Sequence, residues 1–336
     1  MRLLMLFLAG FLASSSWGAQ VVTGAGATFP YPLYSKWFAE YGKLNPNVQI
    51  NYQSIGSGGG IRQLLDKTID FGASDSPMTD EQLGKASGPI VHIPTAMGAV
   101  VLIYNLAGST NLKLSSDVLA DVFLGTIKKW NDPRILALNP GLAQTSDIFV
   151  VHRSDGSGTT GIFSDYMAKV SSDWKTKVGS GTALNWPTGL GGKGNEGVTG
   201  LVKQTPGSIG YVELIYAESN KLSFFALKNK AGQFVTPTLK SVTAAAAGLK
   251  EVPDDLRFSI TDSDGAGSYP ISGATYILVY KTMPDSAKAA SIVSFLKWAL
   301  KDGQKMAAEL LYAPLPSSLV KKVQKKVETI EVKRAG

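Results

Sequence analysis

Arg153-Ser154-Asp155-Gly156-Ser157-Gly158-Thr159-Thr160 decides how the rest of this chain is read. An apolar run, Ile148-Phe149-Val150-Val151, precedes it and predicts a buried strand. Ile162, Phe163, Tyr166 and Met167 follow at helical spacing. The stretch is therefore a tight polar turn from a strand into a helix N-terminus. A helix start carries unpaired N–H groups and partial positive charge. Glycines let a ligand approach the backbone. Ser157, Thr159 and Thr160 add hydroxyls, and Arg153 adds a planar fork of charged donors. Together these features predict an anion site. An ordinary capped helix beside an ion pair would read the same way in isolation, so the flanking sequence has to decide.

Two similar turns lie upstream. Thr23-Gly24-Ala25-Gly26-Ala27-Thr28-Phe29-Pro30 leads into a helix with Leu33, Tyr34, Trp37, Phe38 and Tyr41 on one side, ended by Asn45-Pro46. Gly56-Ser57-Gly58-Gly59-Gly60 opens another, with Ile61, Leu64 and Leu65 at helical spacing. Val48–Tyr52 and Ile69–Ala73 read as strands. The second ends in Ser74-Asp75-Ser76-Pro77, where Pro77 is expected to open a short helix. Residues 90–105 and 269–280 are long extended runs, read as paired crossings between two domains. That predicts a discontinuous first domain, residues 19–96 plus 276–336, and a second domain, residues 97–275. Helices are expected over 117–123, 132–138, 239–249, 286–300, 303–311 and 317–328. A glycine-dense loop spans 189–197. Alternating strands and helices predict α/β layers.

The 336 residues, 44% of them hydrophobic, suffice for two domains. There is no cysteine, which excludes disulfides and thiolate chemistry, and only His92 and His152 are present, which argues against a His-rich metal site. Both histidines lie in strand-like apolar runs and are expected to be structural. A formal charge of +7 is modest at this length and fits a solvated basic face. The N-terminus has a short charged start, an apolar run from Leu3 to Ala13, and small residues. This predicts a secretory signal over 1–18. Cleavage after Gly18 is favoured over Ala19, which would place bulky Trp17 at a small-residue position. No cysteine follows for a lipid anchor, so the mature chain is expected to be soluble and exported. A P-loop fails around Gly192-Lys193, and Gly72-Ala73-Ser74-Asp75-Ser76 lacks the second glycine of a nucleophile elbow. Lys128-Lys129-Trp130 reads as a solvated loop with one packed Trp rather than a nucleic-acid patch. The Lys/Val pattern over 320–328 reads as a docked amphipathic helix rather than a membrane binder.

Three Gly/Ser/Thr-rich helix starts with one well-placed Arg point to an anion held by several N-termini. Here the chain resembles the periplasmic phosphate-binding proteins of the Pst ABC transporter. The matching segments are 23–30, 55–60, 70–77, 124–130, 153–159, 189–195 and 206–212, and the resemblance is weakest across 218–268 and after 330. It implies an α/β, two-domain class II periplasmic binding fold with ligand in the interdomain cleft. It implies that Ala27, Thr28 and Phe29 present backbone N–H groups, that Ser57 donates, and that Asp75 accepts a hydrogen bond. It further implies that Arg153 makes the charged contact, held by Asp155, and that Ser157, Gly158 and Thr159 close the second wall. His152 is a departure, since the family often has Arg there. The implied function is binding of inorganic phosphate and delivery to an inner-membrane ABC permease with its ATPase subunit. No enzyme activity, cofactor, metal or nucleic acid is expected, and the protein is expected to be a periplasmic monomer. The alternatives are another tetrahedral oxyanion such as sulfate or, disfavoured by the missing nucleophile and metal motifs, a secreted phosphate-ester hydrolase.

Overall fold

The structure, a computed structural model, describes residues 19–249 and 251–332; the expected signal segment lies outside them. Its main element is the strand Ile90–Tyr104, buried along almost its whole length. Residues 90–99 pair antiparallel with Ser272–Tyr280, and residues 100–104 pair antiparallel with Ser208–Glu213. One continuous strand thus changes partners halfway, at the point where Val100 N–H donates to the Ile271 carbonyl (2.8 Å).

On one side of this handover the sheet continues through Ser272–Tyr280, Phe71–Ser74, Gln20–Gly26 and Val48–Ser54. On the other it continues through Ser208–Glu213, Phe149–Arg153 and Leu190–Gly192. Gln20–Gly26 is parallel to both its neighbours, as βαβ connections require. Each half has its own aromatic packing. Phe38 meets Phe295 at 5.2 Å and Tyr34 stacks on Trp37 at 5.7 Å. In the other half Phe163 stacks on Tyr211 at 4.4 Å, beside Trp174 and Trp186. A sheet whose two halves share the one strand Ile90–Tyr104 is suited to move as two lobes.

The expected helices are present with small shifts. Tyr31–Leu44, Ser57–Leu65 and Gly158–Val170 start at the three small-residue turns. Ser317–Val327 buries Leu319, Val323 and Val327 and keeps its lysines outward or at the margin. Trp130 is fully buried, its indole N–H donating to Gly207 O, while Lys129 pairs at the surface with Asp147.

Two expectations differ from the structure. The helix after Pro77 opens only at Asp80, because Thr79 and Gln82 form a reciprocal capping box and Met78 is held back by its N–H to His92 Nε2. Residues 303–311 are not one α-helix. The chain runs on from Ser286–Trp298 through a π-turn at Ala299–Gly303, a short α-segment at Gln304–Ala307 and a 3₁₀ turn at Ala308–Leu310. The Trp37 indole N–H takes the Gly303 carbonyl (2.8 Å), a side chain entering the helical ladder where its period changes.

Candidate anion-binding site

The three helix starts converge on one buried point between the lobes. The first wall comes from the turn after Gln20–Gly26. Gly26 has φ +145°, and a Cβ there would lie 2.1 Å from the Ala73 carbonyl, so only glycine lets this turn lie against its neighbour. Next, Ala27 N–H donates to Ala73 O (2.9 Å). This corrects the expectation for Ala27: its donor is consumed by the sheet and is not offered to a ligand. Thr28 and Phe29 are different. Among the described residues, nothing accepts from either N–H, although both residues are buried. The Thr28 hydroxyl oxygen accepts from Asn195 N–H (3.2 Å) and Asn195 Nδ2 (2.7 Å), which frees its own proton for another acceptor.

The second wall is the start of Ser57–Leu65. Its Ser57 N–H likewise meets no acceptor among the described residues. Ser57 Oγ accepts from Gly158 N–H (3.0 Å) and Asp75 N–H (3.3 Å). Gly58 N–H donates to Gly156 O (2.8 Å). This seam is backbone against backbone, and a Cβ on Gly158 would lie 2.5 Å from Ser57 Oγ and 2.6 Å from Asp75 N.

The third wall is the turn quoted at the start of the sequence. Ser157 caps its helix, accepting from Thr160 N–H (3.1 Å), and its own N–H goes to Thr182 O (2.8 Å). Thr159 N–H has no acceptor among the described residues. Its hydroxyl oxygen receives Asn195 Nδ2 (3.2 Å) and Arg153 Nη1 (3.4 Å). The Arg153 side chain is 1% exposed and forks onto Asp155, Nε to Oδ1 at 2.8 Å and Nη2 to Oδ2 at 2.5 Å. Burial alone would raise the Asp155 carboxyl, but the Arg153 hydrogen bonds and charge, with the Gly194 N–H, bring it below its ordinary value. Asp155 therefore stays ionised and holds the fork in one plane.

Asp75 is a buried acceptor beside these donors. It is 3% exposed, and its Oδ1 accepts from the Thr275 hydroxyl (2.8 Å). Burial pushes its pKa up to about 7 against the opposing pull of the Thr275 hydrogen bond, the Arg153 charge and the Ser57 hydrogen bond. With Asp155 balancing Arg153, what this centre can offer an anion is mainly fixed N–H and O–H dipoles, already oriented by the fold.

The structure thus brings Thr28, Phe29, Ser57, Asp75, Arg153, Asp155, Ser157, Gly158 and Thr159 to one place, with Ala27 behind them. Sequence reasoning missed Asn195, which is fully buried and ties Thr28 to Thr159 across the cleft while its Oδ1 accepts from Glu213 N–H (2.9 Å). It also missed Thr275, the partner of Asp75. The only signal for Asn195 was its place in the glycine-dense loop 189–197. His92 is structural, accepting from Met78 N–H, with its pKa pushed down to about 4 mainly by burial. His152 stacks on Trp186 at 4.5 Å. Among the described residues no group of three His, Cys, Asp or Glu is placed to hold a metal, and no helix is long and apolar enough to cross a membrane.

Two halves of a sheet sharing the strand Ile90–Tyr104, with donors gathered around a buried point, define a solute-binding protein of the periplasmic binding class. The PBP superfamily domain model matches residues 13–302. The chain belongs to the family of the phosphate-binding protein PstS. It is 50% identical over 307 residues to that protein from Xylella fastidiosa strain Temecula1, covering 90% of this chain and 84% of the relative. With the Pasteurella multocida protein it shares 49% over 320 residues, 94% and 92% of the two chains. Among solved structures it is similar in fold to a phosphate-binding protein from Stenotrophomonas maltophilia (TM-score 0.71, 19% identity, 91% and 94% coverage). It is also similar to the phosphate-bound periplasmic protein PfluDING (TM-score 0.72, 22% identity, 91% and 93% coverage).

Proposed function

We propose that this protein binds inorganic phosphate between two lobes, residues 19–96 plus 276–336 and residues 97–275, and delivers it to an inner-membrane ABC permease driven by its ATPase subunit. One observation carries the reading. Four buried N–H groups, of Thr28, Phe29, Ser57 and Thr159, come from three separate turns and meet no acceptor among the described residues, with the buried carboxyl of Asp75 beside them. A buried donor left unmade costs roughly 1–3 kcal/mol, so four of them together call for a multidentate acceptor. Arg153, Ser157 and the Thr28 hydroxyl complete the set of donors, and Gly158 closes the seam.

Donors alone suit any tetrahedral oxyanion. Asp75 distinguishes among them above about pH 7, where its carboxyl is ionised and only accepts, while phosphate still carries a proton to donate and sulfate carries none. The PstS names of the relatives support the ligand and the transporter. Periplasmic residence, export by residues 1–18 without a lipid anchor, and a monomeric state fit the same reading. Isothermal titration with phosphate, arsenate and sulfate tests it: phosphate and arsenate are expected to bind tightly and sulfate not at all. Equal binding of sulfate would remove Asp75 from its role. Turnover of a phosphate ester, with or without divalent metal, would turn the assignment from binder to hydrolase.

A further inference from the structure

Each carbonyl of the segment Ala27-Thr28-Phe29 is held by a tyrosine hydroxyl, that of Thr28 from the other lobe and shared with Tyr31 N–H (3.2 Å). Tyr52 donates to Ala27 O at 2.7 Å, Tyr216 to Thr28 O at 2.6 Å and Tyr312 to Phe29 O at 2.5 Å. The three tyrosines come from far apart in the chain, on the strand Val48–Ser54, in the helix Leu214–Ser219 and just beyond the 3₁₀ turn Ala308–Leu310. Burial raises the pKa of all three, so each hydroxyl keeps its proton and donates. Glu196 Oε1 lies 3.1 Å from the Tyr216 hydroxyl, farther than the Thr28 carbonyl.

A peptide unit joins the carbonyl of one residue to the N–H of the next. The Ala27 carbonyl therefore shares its unit with Thr28 N–H, and the Thr28 carbonyl with Phe29 N–H. Hydrogen bonds in series polarise one another, so a hydroxyl on the carbonyl strengthens the N–H at the far end and fixes the plane in which it points. We propose that Tyr52 and Tyr216 are positioning residues for the bound anion, each tuning and aiming one cleft donor through the carbonyl of the peptide it grips. This rests on the phosphate reading above. Tyr312 supplies an internal contrast: the Phe29 carbonyl belongs to the peptide of Pro30, which has no N–H. Its hydroxyl braces the segment without strengthening any donor.

The test is to remove one oxygen at a time, with Tyr52→Phe, Tyr216→Phe and Tyr312→Phe, which keep the rings and their packing. Phosphate affinity by calorimetry is expected to fall about three- to ten-fold for each of the first two, and by less than two-fold for Tyr312→Phe. A role in rigidity alone would make all three alike, and that result would overturn the proposal. The second readout is the amide-proton shift in ¹H–¹⁵N spectra of the phosphate-loaded protein. Tyr52→Phe is expected to move the Thr28 amide upfield and spare Phe29, and Tyr216→Phe to do the reverse. Unpaired or absent shifts would also overturn it. If Tyr216→Phe does not fold, Tyr52→Phe carries the test, since its contact lies between Ala27 and the strand paired to the one before it. Wild-type protein that fails to bind phosphate sinks the ligand assignment. Wild type that binds, with both variants binding equally well, sinks only the role of the tyrosines.

Discussion

Asp75→Asn should make the protein more stable while making it a worse discriminator. The Asp75 carboxyl titrates near 7 in the folded chain, against 3.8 for a free side chain, because burial opposes its charge more than Thr275, Arg153 and Ser57 support it. A carboxyl raised on folding leaves the native state fully stable only below its unfolded pKa, and the contribution is lost as pH climbs from about 4 through 7. Linkage between those two values gives a penalty of about 2 kcal/mol at pH 5 and about 4 kcal/mol at pH 8. Asparagine has the same shape, still accepts from the Thr275 hydroxyl, and bears no charge at either pH. Denaturant unfolding of phosphate-free wild type and variant should therefore show a gain that is about 2–3 kcal/mol larger at pH 8 than at pH 5. A gain that does not change with pH would refute the reasoning, since the carboxyl would then be ionised, or protonated, in both states. The same variant should narrow the preference for phosphate over sulfate, because its amide can turn a donor towards an ion that has no proton to give. A buried charge that costs stability and sets selectivity is the trade-off expected where function, and not folding, keeps a residue in place.

Three further outcomes are expected. Arg153→Ala removes the guanidinium and leaves Asp155 without its fork, so phosphate affinity by calorimetry should fall by about 2–5 kcal/mol; near-wild-type binding would move the site elsewhere. Gly158→Ala introduces a methyl 2.5 Å from Ser57 Oγ across the seam, so it should weaken phosphate binding more than ten-fold while barely changing the melting temperature of the phosphate-free protein, and equal losses in both would point to misfolding. Small-angle scattering should show a smaller radius of gyration with phosphate than without, because the donors come from both sides of the crossing strands; no change despite tight binding would mean the lobes are already shut.

The elements that carry a local chemical signature were legible in the sequence. Gly/Ser/Thr-rich turns before helical apolar spacing located Ser57–Leu65 and Gly158–Val170, and the long extended runs located the strands Ile90–Tyr104 and Ser272–Tyr280, of which only the first pairs with both halves of the sheet. The resemblance supplied Asp75, whose own surroundings suggested only a turn. What stayed hidden depends on residues brought together by the fold. Nothing near Asn195 in sequence marks it as the tie between Thr28 and Thr159, and nothing near Thr275 marks it as the partner of a carboxyl 200 residues away. The Ala27 N–H was misread because a strand edge claims it, and the register of Gly26 against Ala73 is a tertiary fact. Proline at 77 suggested a helix start, but a better cap two residues later won.

The strand Ser272–Tyr280 lies between Phe71–Ser74 and Ile90–Tyr104, both more than 150 residues earlier in the chain. While the chain is being made from its N-terminus, the first sheet therefore has a gap at its centre. The inserted half can close on itself through Ser208–Glu213 long before residue 272 emerges. The first half can pair Val48–Ser54, Gln20–Gly26 and Phe71–Ser74, but the edge of Phe71–Ser74 and residues 90–99 must wait unpaired until the last fifth of the chain arrives, a closure of long range and correspondingly slow folding. Asp75 gets its Thr275 hydrogen bond only at that step, so the binding centre is completed last. A chain cut short before residue 272 would carry a folded insert, two exposed strand edges and no competent site.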